Sequence, residues 1–345
     1  MLVNAFISIC KDHNVPSSML HMSSKKEYVD KQFAWWTQLY KVGFLAHFEC
    51  LLGEDYDDGN GVKNSESSIE NAIFEDAYVA LRSLDRVAFK ISKIPLKKDG
   101  DDDEEEEDDT EEDGTCIKIT RLPLLPNNDN ENNNGGIGKI LIEIYFGKQF
   151  TYETLPQILL DGQLISTRTV IIAQQLNVTA VTSDAIKSAN DEGFDKLIYY
   201  HSLRRRMMGP NIQTDEEIDE LIITLESCRK KLIGLKDVSD IYTWLLVSER
   251  ITRLFEGARI TCCKDGKDLS IMGASLEMSV IMRDNHHVNM VESLANVFRM
   301  SGVNLLNLQN NSFQQQFYEL PRENMPRLYR PPGHMTRSRG GNSLF

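Results

Sequence analysis

The residues best suited to chemistry lie together in Thr261-Cys262-Cys263-Lys264-Asp265-Gly266-Lys267-Asp268-Leu269-Ser270. A short β-branched run, Ala258 to Cys263, enters a loop bearing lysine and glycine that opens into a helical pattern. A cysteine at the start of such a loop is placed to attack phosphorus. The loop N–H groups and the helix N-terminus together cradle a phosphate dianion, and a positive field of that kind favours the thiolate form of a cysteine. Cys263 is then the nucleophile that forms a phosphocysteine, and Lys264 and Lys267 supply cationic charge to a multiply phosphorylated ligand. Gly266 lets the backbone approach the phosphate without a Cβ clash. Asp268 sits where a carboxyl group donates a proton to the leaving oxygen, and Ser270 is placed to donate a hydrogen bond to the sulfur from the first helical turn. Loops of this type end in an arginine after a five-residue interval, and the position so spaced from Cys263 is Leu269. The plainer reading is an ordinary exposed Lys-Asp-Gly-Lys-Asp turn beside two buried cysteines.

The elements that must position this loop are a strand before it and a helix after it. Ile271, Met272, Ala274, Leu276, Met278 and Val280 carry a helix from about Ser270 to His286. Further helices are expected from Thr214 to Gly234, with Thr214 and Glu217 as a capping box, from Ile241 to Arg253, and from Asn289 to Ser301. Upstream, an apolar island from Ile117 to Leu125 reads as a strand whose partner is Ile140 to Phe146. The Asn-rich tract between them is then an expanded hairpin connection. The expected fold is one α+β domain: a cysteine-phosphatase-like core of strand, phosphate loop and helix, elaborated with additional helices. Long insertions, the larger at about 97–138, are expected to stay disordered because they bury too little surface to offset chain entropy.

Bulk properties narrow the field. The 345 residues carry a formal charge of −14. Twelve of those negative charges fall in the run Asp101 to Asp113, so the remainder is within two charges of neutrality. Charge therefore gives no support to a nucleic-acid binder, and no nucleic-acid partner is expected. The six cysteines are scattered without a CxxC pair, which argues against a structural zinc site or a disulfide framework. No metal and no cofactor is expected. The N-terminus lacks the basic start of a secretory signal, and no apolar run reaches the ~20 residues of a membrane span. The expected location is the cytoplasm, with peripheral contact at membrane lipid. His286-His287 offers at most one ring to any site, since adjacent helical residues face different ways. Trp35-Trp36 reads as packing rather than a base-stacking platform.

Several stretches together resemble the catalytic region of the inositol polyphosphate 4-phosphatase family, type I and type II. Thr261 to Ser270 is similar to its Cys-Lys-x-x-Lys-Asp-Arg-Thr signature, and Tyr329-Arg330-Pro331-Pro332 followed by Gly333 to its Tyr-Arg-Pro-Pro ending. Phe48 to Leu52, Phe74 to Leu81, Val87 to Lys90 and Ile158 to Val170, with its Gly162-Gln163-Leu164, are similar to further segments. The likeness runs with gaps from about residue 44 to residue 333, which would make 1–43 an N-terminal segment and 334–345 a flexible tail. No C2-type lipid-binding module is recognised ahead of it, which aligns the chain with the C-terminal part of the family. The resemblance implies a phosphoinositide or inositol polyphosphate as partner and removal of the 4-phosphate of phosphatidylinositol 3,4-bisphosphate without a metal. By position it implies Cys263 as nucleophile, Asp268 as the loop carboxylate, and Lys264 and Lys267 as phosphate contacts. Leu269 replaces the arginine, Ser270 the threonine, and Asp265 adds a charge that opposes phosphate. Two alternatives follow: a catalytically weak or dead phosphoinositide-binding pseudophosphatase or scaffold, and a helical interaction domain.

Overall fold

Strand β1 (Phe44–Leu52) is buried along its whole length. That pattern marks an interior strand covered on both faces. The computed structural model describes residues 1–14, 25–52, 66–93, 115–122, 139–147, 150–152, 155–175, 183–232, 238–263, 268–301, 317–318 and 336–337. The acidic run, the Asn tract, Lys264 to Lys267 and Tyr329 to Gly333 lie outside the described residues.

Around β1 the chain forms a mixed α/β structure. Its other principal strands are β2 (Val87–Ser92), β3 (Cys116–Arg121), β4 (Ile140–Tyr145), β5 (Ile165–Gln175) and β6 (Ala258–Cys263). They make a six-stranded sheet in the order β3-β4-β2-β5-β1-β6. β2 pairs with β4 in parallel and with β5 antiparallel, so the sheet is mixed. The helices are α1 (Leu2–Asp12), α2 (Lys25–Lys41), α3 (Glu66–Arg82), the single turn α4 (Gln157–Leu160), α5 (Asp184–Met208), α6 (Ile212–Leu232), α7 (Val238–Leu254), α8 (Asp268–His286) and α9 (Val291–Arg299). A short 3-10 turn spans Ser83–Arg86, and β7 (Phe317–Tyr318) pairs in parallel with β8 (Thr336–Arg337).

The chain divides into two compact units. The first comprises Met1–Ala46, Arg82–Thr169 and Tyr199–Asn211. Its core is aromatic: Phe6 stacks on Phe89 and meets Phe44 edge-on, and His13 stacks on Trp35, which meets Trp36 edge-on. Both tryptophans are buried, as packing residues should be. Gly43 turns the chain from α2 into β1 with φ of +113°, and a Cβ there would lie 2.6 Å from the Ser166 carbonyl oxygen. The strand pairing expected across the Asn tract is present, with β3 and β4 antiparallel and Ile119 opposite Ile142. β3 is exposed throughout and forms one edge of the sheet.

The second unit comprises His47–Leu81, Val170–Ile198 and Ile212–Phe345. Here Asn190 of α5 bonds both the N–H and the carbonyl of Ala173 in β5, each at 2.8 Å. Gly193, one turn on, keeps the helix against the strand, since a Cβ would stand 2.3 Å from the Ile171 oxygen. Arg250 of α7 bridges Glu217 of α6 and Asp284 of α8. The four helices expected after residue 210 all form. The capping box does not: α6 begins at Ile212, so Thr214 lies within its first turn instead of ahead of it. Asn211, a residue type that favours helix starts, precedes that turn. α8 begins at Asp268, within two residues of its expected start.

Candidate functional site

β6 ends at Cys263 and α8 begins at Asp268, so strand, connection and helix follow one another at the loop. Side chains alternate along β6, which puts Arg259, Thr261 and Cys263 on one face and Ile260 and Cys262 on the other. α8 covers the first of these faces. Ser270, Gly273 and Glu277 follow one another at helical spacing, and each meets a group on it. The Ser270 hydroxyl donates to the Cys263 sulfur over 2.9 Å. A Cβ on Gly273 would fall 3.1 Å from Leu51 and 3.4 Å from Thr261, so a glycine here lets the helix approach closely. Glu277 forms an ion pair with Arg259.

Of the residues expected at the site, Cys263 and Ser270 are brought into direct contact, and both are half-buried. Asp268 opens the helix. Lys264, Gly266 and Lys267 fall outside the described residues. Leu269 is only 7% exposed and belongs to the apolar core. His286 and His287 are both exposed at the far end of α8, away from Cys263 in sequence by more than the length of that helix.

Below the strand end lies a buried charge cluster that sequence reading did not assemble. The Arg259 guanidinium, 8% exposed, pairs with Glu49 of β1, Glu249 of α7 and Glu277 of α8. Thr261 adds a hydrogen bond to Glu49 at 3.0 Å, and Arg253 pairs with Glu277 at 2.9 Å. Burial pushes the Glu249 carboxyl well above its ordinary range; the Arg259 charge opposes this and the Glu49 and Glu277 carboxylates add to it. A proton held on Glu249 leaves one less negative charge against Arg253 and Arg259. A signal for it was present in β1: His47 and Glu49 are polar residues two apart in an otherwise apolar strand, and buried charge of that kind needs a partner.

His47 shares this buried setting. Desolvation, and then the nearby Arg259 charge, lower its pKa to about 3, so the ring is neutral. The Thr252 hydroxyl donates to the Ser248 carbonyl. It therefore accepts from His47 Nδ1–H at 2.9 Å, which leaves Nε2 the bare ring nitrogen.

Arginines stand on both elements that flank the connection, at 259 in β6 and 283 in α8, and their positions differ. Arg259 is held by Glu49, Glu249 and Glu277. Arg283 is exposed near the end of α8 and pairs with the adjacent Asp284. Among the described residues, no group of three or more His, Cys, Asp or Glu side chains is arranged to hold a metal ion. Among the same residues no helix is long and apolar enough to cross a membrane.

A family model described as the INPP4A C-terminal domain matches residues 138–322, more than half of the chain and the whole of the β6–α8 region. The chain belongs to the INPP4A C-terminal domain family. Relatives outside this chain bear related names. Inositol polyphosphate 4-phosphatase type II of Homo sapiens is 26% identical over 306 residues, covering 86% of this chain and 28% of that protein. The type II inositol 3,4-bisphosphate 4-phosphatases of Pongo abelii and Rattus norvegicus match with the same identity and coverage. The chain thus spans 28% of the length of each of these relatives.

Proposed function

We propose that this chain binds the phosphorylated headgroup of a phosphoinositide, or a soluble inositol polyphosphate, at the connection between β6 and α8. Cys263 acts there as nucleophile toward the 4-phosphate, and turnover is slow. The observation that carries this reading is the hydrogen bond from Ser270 Oγ to Cys263 Sγ, which ties the strand end to the first turn of the helix. A hydroxyl donor is the group suited to a sulfur that bears negative charge as it attacks phosphorus or leaves it. Lys264 and Lys267 contribute the positive charge, Gly266 the close backbone approach, and Asp268 the proton for the leaving oxygen. The whole constitutes a cysteine-phosphatase-like core within a domain spanning about residues 44–333. The names of the relatives support a phosphorylated inositol as the substrate class; its lipid form, phosphatidylinositol 3,4-bisphosphate, is reached by peripheral contact with lipid.

Slow turnover follows from position 269. A guanidinium grips two phosphate oxygens and holds charge that develops in the transition state. Loss of one preorganised donor costs about 2.7–4 kcal/mol, or roughly 10²–10³ in rate, and a charged bidentate donor at least that. The burial of Leu269 and the engagement of Arg259 and Arg283 with carboxylates favour a second reading, in which the domain holds phosphoinositide without hydrolysing it.

Phosphate release from short-chain phosphatidylinositol 3,4-bisphosphate, compared among wild type, Cys263→Ser and Leu269→Arg, tests both. Slow release lost in Cys263→Ser and raised in Leu269→Arg supports the enzyme. Headgroup binding without release by wild type supports the second reading. Release unaffected by Cys263→Ser, or no headgroup binding, overturns both.

A further inference from the structure

Two of the six cysteine thiols stand sulfur to sulfur. Cys50 of β1 and Cys262 of β6 have Sγ atoms 3.3 Å apart on strands that neighbour one another in the sheet. No cysteine of the chain is in a disulfide. Cys50 is buried, whereas Cys262 is half-buried and so reachable by a small oxidant. The pair lies on the face of the sheet opposite to Glu49, Thr261 and Cys263. It is therefore separate from the Cys263–Ser270 contact.

The geometry suits a bond. A disulfide needs an Sγ separation of ~2.05 Å and a Cα separation of about 4.4–6.8 Å. Neighbouring strands run about 4.7–4.9 Å apart, within the span a disulfide bridges, and the two sulfurs already stand 3.3 Å apart. The competing bond between Cys262 and Cys263 is disfavoured, because successive strand residues project to opposite faces. The two thiols are also unequal. The hydrogen bond shared with Cys50 holds the Cys262 thiol below its ordinary range despite its burial. The same hydrogen bond, with burial, pushes the Cys50 thiol far up. Cys262 is thus the sulfur that attacks and Cys50 the one that resolves.

We propose that Cys50 and Cys262 form a peroxide-responsive dithiol, a modification site that closes reversibly to a disulfide between β1 and β6 without Cys263. The Cys262 thiolate attacks one oxygen of hydrogen peroxide, the O–O bond breaks, and the departing hydroxide is protonated to water. Cys50 then attacks the sulfur of the Cys262 sulfenic acid. The S–O bond breaks and the hydroxyl leaves as water with the Cys50 proton. In sum two thiols and one peroxide give one disulfide and two waters; the dithiol loses two electrons and the peroxide gains them. A dithiol reductant reverses the change. The disulfide itself does not depend on the phosphate-site reading.

The test treats the folded full chain with a small molar excess of hydrogen peroxide, alkylates the remaining thiols, and maps the peptides without reduction. The expected product has lost the mass of two hydrogens and links the Cys50 and Cys262 peptides, with Cys263 outside the bond. Dithiothreitol restores alkylation at Cys50 and Cys262. The linked pair persists in Cys263→Ser and is lost in Cys262→Ser. A link from Cys262 to Cys263 overturns the proposal, as does Cys262 carried to the sulfinic acid while Cys50 remains alkylatable. The wild-type map decides by itself, so misfolding of a variant does not remove the test.

Discussion

Replacing Arg259 with methionine removes at once the cation that Glu49, Glu249 and Glu277 share. The side chains of Glu49, Glu249 and Glu277 are 0%, 1% and 15% exposed, so water cannot take over the role of the guanidinium. Arg259 itself is 8% exposed, and solvent screening makes little difference to the sum. Breaking a buried ion pair by deleting one partner costs about 3–5 kcal/mol, chiefly because the other charge is left uncompensated. Methionine replaces much of the arginine stem, so the loss reports charge and not packing. Against a typical domain stability of about 5–15 kcal/mol, this is a large fraction. The assay is urea unfolding at neutral pH, followed by the fluorescence of Trp244 in a background where Trp35 and Trp36 are phenylalanine; Trp244 is buried in the same compact unit as Arg259. Glu249→Gln is the paired control. Burial already favours the protonated Glu249 carboxyl, so a neutral amide of the same shape should not destabilise the fold at neutral pH, where the wild type alone must take up a proton on folding. If Arg259→Met unfolds within about 1 kcal/mol of wild type, or if the two variants lose equal stability, the reasoning about this cluster is wrong.

The same carboxyl sets a pH dependence. Because the Glu249 pKa is raised in the fold from an ordinary 4.5, the folded state holds a proton that the unfolded chain has released above that value. Its contribution is fully present below about pH 4.5 and declines as pH rises through the folded value, by at most ~1.4 kcal/mol per pH unit; Glu249→Gln should flatten the stability profile there. Ser270→Ala removes the donor to Cys263, and a hydrogen bond to a charged group is worth about 1.5–3 kcal/mol, so residual phosphate release should fall by roughly tenfold or more while headgroup affinity changes less. Gly193→Ala forces a Cβ against the Ile171 carbonyl, and thermal or urea unfolding should register a loss of about 1–3 kcal/mol from overpacking.

How far the sequence revealed this depends on whether a feature is local. α8 was readable because an apolar series with helical spacing follows the loop, and the β3–β4 pairing because two β-branched runs flank a polar tract. The Cys263–Ser270 contact was readable because both residues border one short connection. The Arg259 cluster was not, since its members come from β1, α7, β6 and α8 and only the tertiary fold unites them. Cys50 and Cys262 escaped for the same reason, being separated by most of the chain. Thr214 misled because a threonine three residues before a glutamate is a capping box only if the helix starts there. Here α6 had already begun at Ile212.

Titration of soluble inositol 1,3,4-trisphosphate into wild type and into a Lys264→Ala/Lys267→Ala double variant tests phosphate recognition at the β6–α8 connection most directly. Each lysine that contacts phosphate in a partly desolvated site contributes about 1.5–3 kcal/mol, so the double variant should bind at least ~100-fold more weakly, with its fold unchanged by circular dichroism. Equal affinity in the two proteins, or no binding by wild type, would contradict a phosphate site at this connection.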